Sequence, residues 1–503
     1  MNKVLCLKPF QLLLLSSFLC TTVYAEITDS ANVMAETESG QLKSLQQLRS
    51  LKSISDDLTS SAPYVVELPA PQGIRSLFVE SQALPMVDIQ LTFNAGSARD
   101  ESLGKGLYGI ANMTAKLLDD GTPDLSAAQI ANRFEQLGAK LNVQAYRDMF
   151  VIRLRVLSDP QKLNPAVDLM LDLIQHSSFE PSGLNLILSN TNVGQKQLQE
   201  NPERLSNIAL YRAIYGYHPY AEPTSGTVVS TKKLTPVLLK QFRDTFLVAQ
   251  NMNLAITGQL NALEAKQLSA RIFERLPQGQ LAAPLPDALE QQGFDVRILP
   301  YAATQAHVSM GHLSLKRSDP DVLALEVANQ MLGGNGFNSA LMKELRVKRG
   351  YTYGAYSSFS FTQSSGLFQL NYSTQQKQLL ESIRVAHQTL INFVNTPIDS
   401  KQLQETKIGM LRAFPMSFSS NASINAQLGA IGFYGLPSDY LTEYPKALNA
   451  LKAEDIQHAI HRHLHPDRLT VIVAGQDISS EQIETLLKEN LHNLSSSAKS
   501  VQK

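Results

Sequence analysis

Two distant stretches of the chain close in nearly the same words. Asn251-Met252-Asn253-Leu254-Ala255-Ile256-Thr257-Gly258-Gln259 is echoed by Pro466-Asp467-Arg468-Leu469-Thr470-Val471-Ile472-Val473-Ala474-Gly475-Gln476. Each reads as a buried strand that ends in Gly-Gln and leads into a helix rich in Leu, Glu and Lys. Self-similarity at so long a spacing marks a duplicated folding unit. It confines the 503 residues to two related α+β halves, expected over 63–276 and 293–490. Between them, residues 277–292 carry Pro284 and Pro286 among Gln and Ala and read as an extended linker.

Strand and helix signals alternate within a half. Val87-Asp88-Ile89-Gln90-Leu91-Thr92-Phe93 is apolar at every second position, the pattern of a half-buried strand, and Phe150 to Val156 repeats it. Gly106 to Leu118 predicts a helix stopped by Asp119-Asp120-Gly121-Thr122 and Pro123. Ser126 to Leu137 predicts a second, closed by Gly138.

The N-terminus reads as an export signal over 1–25. Lys3 and Lys8 precede an apolar run, Leu12 to Leu19, that is too short to span a bilayer, and Val23-Tyr24-Ala25 offers a small-x-small cleavage site. A periplasmic protein without a stable membrane anchor is expected. Cleavage would remove Cys6 and Cys20, the only cysteines, which excludes disulfides, thiolate catalysis and cysteine zinc sites from the mature chain. It would also leave 42 basic against 45 acidic residues, a net charge of −3 that gives no ground for nucleic-acid binding. Residues 26–62, rich in Ser, Thr, Gln and Glu, read as a mobile leader, and 491–503 as a tail.

The most unusual constellation lies in the second half. Leu332-Gly333-Gly334-Asn335-Gly336-Phe337-Asn338 is a glycine-rich loop after an apolar helix. It leads into Leu341 to Arg346 and then Arg349-Gly350-Tyr351-Thr352-Tyr353-Gly354. The glycines permit close backbone approach or positive φ. A phosphate cradle would need a strand directly before the loop and Gly-Lys-Ser/Thr after it, and both are missing. His458, His461 and His465 share a helical face, where a helix end suits them as well as a metal. His307 and His312 face opposite sides of a strand. No Gly-x-Ser-x-Gly supports a serine hydrolase.

From about residue 63 to 490 the chain resembles the pitrilysin/insulinase family of zinc metallopeptidases. Phe93-Asn94-Ala95-Gly96-Ser97-Ala98-Arg99-Asp100-Glu101 with Gly106-Leu107 resembles the approach to the family's inverted zinc motif, and Leu137 to Asn142 the strand entry after it. The loop from Leu332 to Phe337, with Leu345-Arg346 and Gly350 to Tyr353, is similar to the family's glycine-rich loop and Arg/Tyr substrate motif. The resemblance implies duplicated halves, each an antiparallel-type sheet with helices packed on it, joined by the linker into a clamshell.

The zinc motif itself is missing. Where the family places His, then Glu and His three and four residues on, this chain has Gly109, Asn112 and Met113. The stretch from Tyr108 to Leu118 contains no His, Glu, Asp or Cys, and residues 181–199, the place for a third ligand, contain no Glu. Zinc hydrolysis needs three such ligands and a general base. The resemblance therefore implies a non-zinc subunit that binds no cofactor itself. Its partner would be a homologue carrying His-x-x-Glu-His and zinc, and its substrate an unfolded peptide. Arg346 and Tyr353 would act in trans on the substrate and its oxyanion, with Gly333, Gly334, Asn335, Gly336 and Phe337 binding the peptide. A catalytically silent peptide-binding or scaffold protein of the same fold is the alternative.

Overall fold

The computed structural model describes residues 62–501, Asn335 excepted. The expected signal peptide and nearly all of the leader lie outside the described residues.

The first half runs β1 (Val66–Leu68), β2 (Ser76–Glu80), β3 (Met86–Phe93), α1 (Ile110–Leu117), α2 (Ala127–Gln136), β4 (Lys140–Ala145), β5 (Phe150–Leu157), α3 (Pro160–His176), α4 (Pro181–Gln199), α5 (Pro202–Tyr215), α6 (Val228–Thr231), α7 (Pro236–Phe246), β6 (Met252–Gly258) and α8 (Ala262–Arg275). The second runs β7 (Asp295–Pro300), β8 (Gln305–Ser314), α9 (Val322–Leu332), a π-helical turn Met342–Val347, β9 (Ala355–Ser360), β10 (Gly366–Gln375), α10 (Leu379–Asn395), α11 (Ser400–Ala413), α12 (Asn421–Phe433), α13 (Tyr440–Ala450), α14 (Ala453–His463), β11 (Thr470–Gly475) and α15 (Ser480–Val501). Several starts are written in the sequence as a capping side chain followed by proline: Asp159-Pro160, Asn201-Pro202 and Thr235-Pro236. The last helix extends beyond residue 490 to Val501, where a tail was expected.

The duplication is visible in the sheets. Their orders are β1-β2-β6-β3-β5-β4 and β7-β11-β8-β10-β9, which coincide once the short edge strand β1 is set aside. The two matching segments form β6 and β11 and occupy equivalent places. Each runs parallel to one neighbour, β2 or β7, and antiparallel to the other, β3 or β8. Both sheets are therefore mixed. The closing strand returns from a long helical crossover, and such a connection permits parallel pairing.

One face of each sheet packs on its own half's helices, and the other is covered by a helix from the opposite half. In the first sheet, Phe78, Leu254 and Ile256 point into the home core, while Leu77, Val79 and Ala255 pack with Ile424, Leu428 and Ile431 of α12. In the second, Val471, Val473 and Phe368 point home, while Ile472 and Leu367 pack with Leu210, Ile214 and Tyr215 of α5. Gly429 makes the α12 contact close, since a Cβ there would collide with the Gln90 side chain. Each apolar side chain buried this way stabilises the fold by roughly 1.5–3 kcal/mol.

This exchange corrects one expectation. The strand from Val87 to Phe93 forms, but it is buried on both faces: Asp88, Gln90 and Thr92 lie beneath a helix from the other half. Asp88 is paired with Arg155 at 2.9 Å, and Gln90 accepts from Arg153 Nε at 2.8 Å. The linker is extended but anchored, for Pro286 O accepts from His218 Nε2 at 2.9 Å and from Ser364 Oγ at 2.7 Å. A buried carboxylate also ties the halves. Asp148 accepts from the Tyr220 hydroxyl, the Gln363 amide at 2.9 Å and the Tyr434 hydroxyl at 3.2 Å.

Candidate functional site

In the first half, the helices that the resemblance pairs for a zinc motif do pack together: α1 lies against α4. The helix expected from Gly106 begins at Ile110, because Gly109 takes φ 94° as its N-cap. The buried Asp100 carboxylate accepts from the amides of Gly109 at 2.6 Å and Ala111 at 3.1 Å. Burial pushes this carboxyl up to about 8, against the opposing pull of the two amides. Met113 is 1% exposed and belongs to the core, while Asn112 is half-buried. A side chain at Gly109 would meet Ser225 O at 2.9 Å. On the facing side, Lys116 Nζ stands 3.5 Å from Thr191 Oγ1. A glycine, an amide and a buried thioether supply no imidazole or carboxylate, so these positions do not fit zinc.

The three histidines near the C-terminus are not brought together. The helix α14 ends at His463, which takes His465 off the shared face. His461 Nε2 donates to Val394 O at 2.8 Å, and the amide of His465 donates to His312 Nε2 at 3.1 Å. Among the described residues, Asp319, Asp321 and His463 have ligand-type atoms within 4.8 Å of one another. There, however, Asp321 Oδ2 is already taken by Arg462 Nη2 at 2.7 Å and His463 Nε2 at 2.8 Å.

The second half assembles a different group. At the end of α9, Gly333 and Gly334 are buried, neither with positive φ. Gly333 O accepts from the amide of Ser357 in β9 at 2.9 Å, and a Cβ on Gly333 would lie 2.6 Å from that nitrogen. Close approach is what these two glycines provide. Gly333 packs against the edge strand β9, while a Cβ on Gly334 would collide with Gln330 one turn earlier in α9. Gly336 and Phe337 are exposed, and Asn335 lies outside the described residues.

Arg346 lies on the π-helical turn, a rare geometry that recurs at functional sites. Its Nη1 donates to Tyr353 O at 2.6 Å, and its guanidinium carbon stands 4.6 Å from the Phe337 ring centroid. The turn after it is tightened by the Gly354 amide donating to Thr352 Oγ1 at 3.1 Å and by that hydroxyl donating to Gly354 O at 2.8 Å. Tyr353 is thrown outward and is 84% exposed. Loop, cation and phenol thus form one surface unit: Phe337 stacks on Arg346, and Arg346 holds the backbone that presents Tyr353.

Beside Tyr353 opens a cleft of about 370 Å³ that the sequence reading did not single out. Its floor includes His307 and Ser309 of β8 and Asn371 and Ser373 of β10. His307 Nδ1 lies 3.0 Å from Ser373 Oγ, and burial lowers its pKa against the opposing charge of Glu203. The signal was present as polar residues at alternate positions in both strands. His312, on the opposite face as expected, is buried and held neutral: Nδ1 donates to Leu313 O at 2.7 Å.

The chain is similar to known proteins in sequence and fold. The family model described as insulinase (peptidase family M16) matches residues 77–228, and the one described as peptidase M16 inactive domain matches residues 233–410. A Helicobacter pylori protein named non-peptidase homolog YmxG is 24% identical over 79% of this chain and 91% of its own. A Bacillus subtilis protein named uncharacterized zinc protease YmxG is 23% identical over 76% and 92%. The crystal structure of a peptidase M16 inactive domain from Pseudomonas fluorescens superposes with a TM-score of 0.77 at 32% identity, covering 83% of this chain and 98% of that one. Two family models in chain order, and that identity over nearly a whole related structure, show that this chain belongs to the insulinase (peptidase M16) family, as a member without the zinc motif.

Proposed function

We propose that this chain is the non-zinc, substrate-binding subunit of a periplasmic M16-type peptidase and completes the active site of a zinc-bearing homologous subunit. The observation that carries the reading is the Arg346–Tyr353 unit: the 2.6 Å bond from Arg346 to the Tyr353 carbonyl fixes the turn while the phenol stays free. A chain without zinc ligands has no use of its own for an exposed phenol and a guanidinium preset on one turn. A partner's site does. The Tyr353 hydroxyl and the remaining Arg346 N–H groups are strong donors to a peptide carbonyl and to the oxyanion that develops on it. The partner supplies the hydrolytic centre. This chain supplies orientation of the unfolded peptide and stabilisation of the charge.

The test is reconstitution with the zinc-bearing homologue that carries His-x-x-Glu-His. Tyr353→Phe should lower turnover of the assembled complex by roughly 100- to 1000-fold, the usual effect of losing one oxyanion donor. Assembly should be unaffected, and metal analysis of the chain alone should find well under one zinc per molecule. Unchanged turnover in a stable Tyr353→Phe complex would overturn the reading in favour of a silent scaffold.

A further inference from the structure

From the cleft beside Tyr353 we infer a further specificity determinant: the cleft receives a basic side chain, Lys or Arg, of the bound peptide, with the Glu203 carboxylate as its counter-ion. The inference rests on the substrate-binding reading above and adds the chemical class of residue recognised.

The argument begins with what covers the second sheet. The helix α5 lies over the β8, β10 and β11 face at Gly311, Leu367 and Ile472, where Leu210 and Ile214 meet it. Nearer the start of the helix the same sheet face is left open, and there its residues change character. His307, Ser309, Asn371 and Ser373 replace the apolar side chains found under α5. Open sheet surface need only be polar. This surface is also concave, encloses about 370 Å³, and has Tyr353 and Tyr356 in its wall. That is room for a long side chain whose apolar stem can lie along the tyrosine rings while its polar head reaches the floor.

Charge selects which side chain. Among the described residues no Lys or Arg lines the cleft, and Glu203 is the only carboxylate that does. Glu203 stands in the first turn of α5, at the rim. The floor adds neutral acceptors: the Ser309 and Ser373 hydroxyls and the Asn371 amide oxygen. An anionic side chain would face Glu203 with no cation among the lining residues. An ammonium or guanidinium meets one carboxylate and several lone pairs, the pairing such a head requires.

The experiment uses the purified full chain and two capped eight-residue peptides, identical but for a central Arg or Gln, each followed by fluorescence anisotropy. The Arg peptide should bind roughly 5- to 10-fold more tightly at low ionic strength, where a partly exposed pair is not screened. Glu203→Gln should remove that preference and leave the Gln peptide's affinity unchanged. Asn371→Leu, which fills the floor, should weaken the Arg peptide. Equal affinities for the two peptides, no saturable binding of either, or a preference that survives Glu203→Gln would each overturn the inference. Tyr353→Phe turnover in the assembled complex reports separately on the functional reading, so either can fail alone.

Discussion

Arg346 Nη1 donates to the carbonyl oxygen of Tyr353 across a spacing of seven residues at 2.6 Å. A cation is thereby spent on shaping the backbone of the residue beside which it is proposed to work. The guanidinium's fork permits both tasks, because one nitrogen can hold the turn while others point outward.

Arg346→Lys should separate charge from geometry. An ammonium keeps the charge but cannot grip the Tyr353 carbonyl and face a substrate at once. Turnover of the assembled complex should fall nearly as far as with Arg346→Ala, roughly 100-fold or more. Circular dichroism should show an unchanged fold. Full activity in Arg346→Lys would mean that only the charge matters.

The glycine loop divides into a packed part and a free part. Gly333→Ala should destabilise the chain by about 1–3 kcal/mol, because its Cβ would lie 2.6 Å from the Ser357 amide nitrogen. Gly336→Ala, whose nearest heavy atom would be Asn338 N at 3.9 Å, should stay within about 0.5 kcal/mol of wild type. Denaturant melts of the two variants decide the matter, and equal effects would contradict the division.

The exchanged helices should make the halves inseparable. A chain cut at a protease site inserted after Gln280 should still elute as one particle, since α5 and α12 each sit on the other half's sheet. Leu428→Ala, at a fully buried position of α12, should cost about 2–5 kcal/mol and lower the melting of both halves in one transition. Two separated fragments on gel filtration, or two independent transitions, would show that the exchange is energetically minor.

Acid should destabilise the fold through two buried histidines. His312 is lowered to about 3 and His387 to about 4, in both cases chiefly by burial. Each ring donates through one nitrogen to a carbonyl and accepts an N–H at the other, so a second proton has no place. The unfolded chain binds those protons near 6.5, so it holds more protons than the native state below that pH. The contribution of these groups is complete above about pH 6.5 and is lost as pH falls towards 4 and then 3, by up to about 1.4 kcal/mol per pH unit for each ring. Urea melts of His387→Gln should show a shallower acid limb than wild type, and parallel limbs would exclude His387 as a contributor.

Local and repeated features were legible in the sequence. The twin Gly-Gln segments announced the duplication because a strand's burial pattern and the turn that ends it are encoded within a few residues. The helix start at Ser126, the missing zinc ligands at Gly109, Asn112 and Met113, and the spacing of Arg346 from Tyr353 are likewise matters of residue type and interval. Only the tertiary structure decided what covers what. The polar positions Asp88, Gln90 and Thr92 look solvent-facing by alternation, yet a helix from more than 300 residues away, α12, buries them. The cleft beside Tyr353 is absent from any single segment, because His307, Asn371 and Glu203 become neighbours only when β8 and β10 pair and α5 crosses over from the other half. Periodicity reports which residues share a face. It carries no record of the distant element that packs against that face, which is settled by the burial of apolar surface across the whole chain.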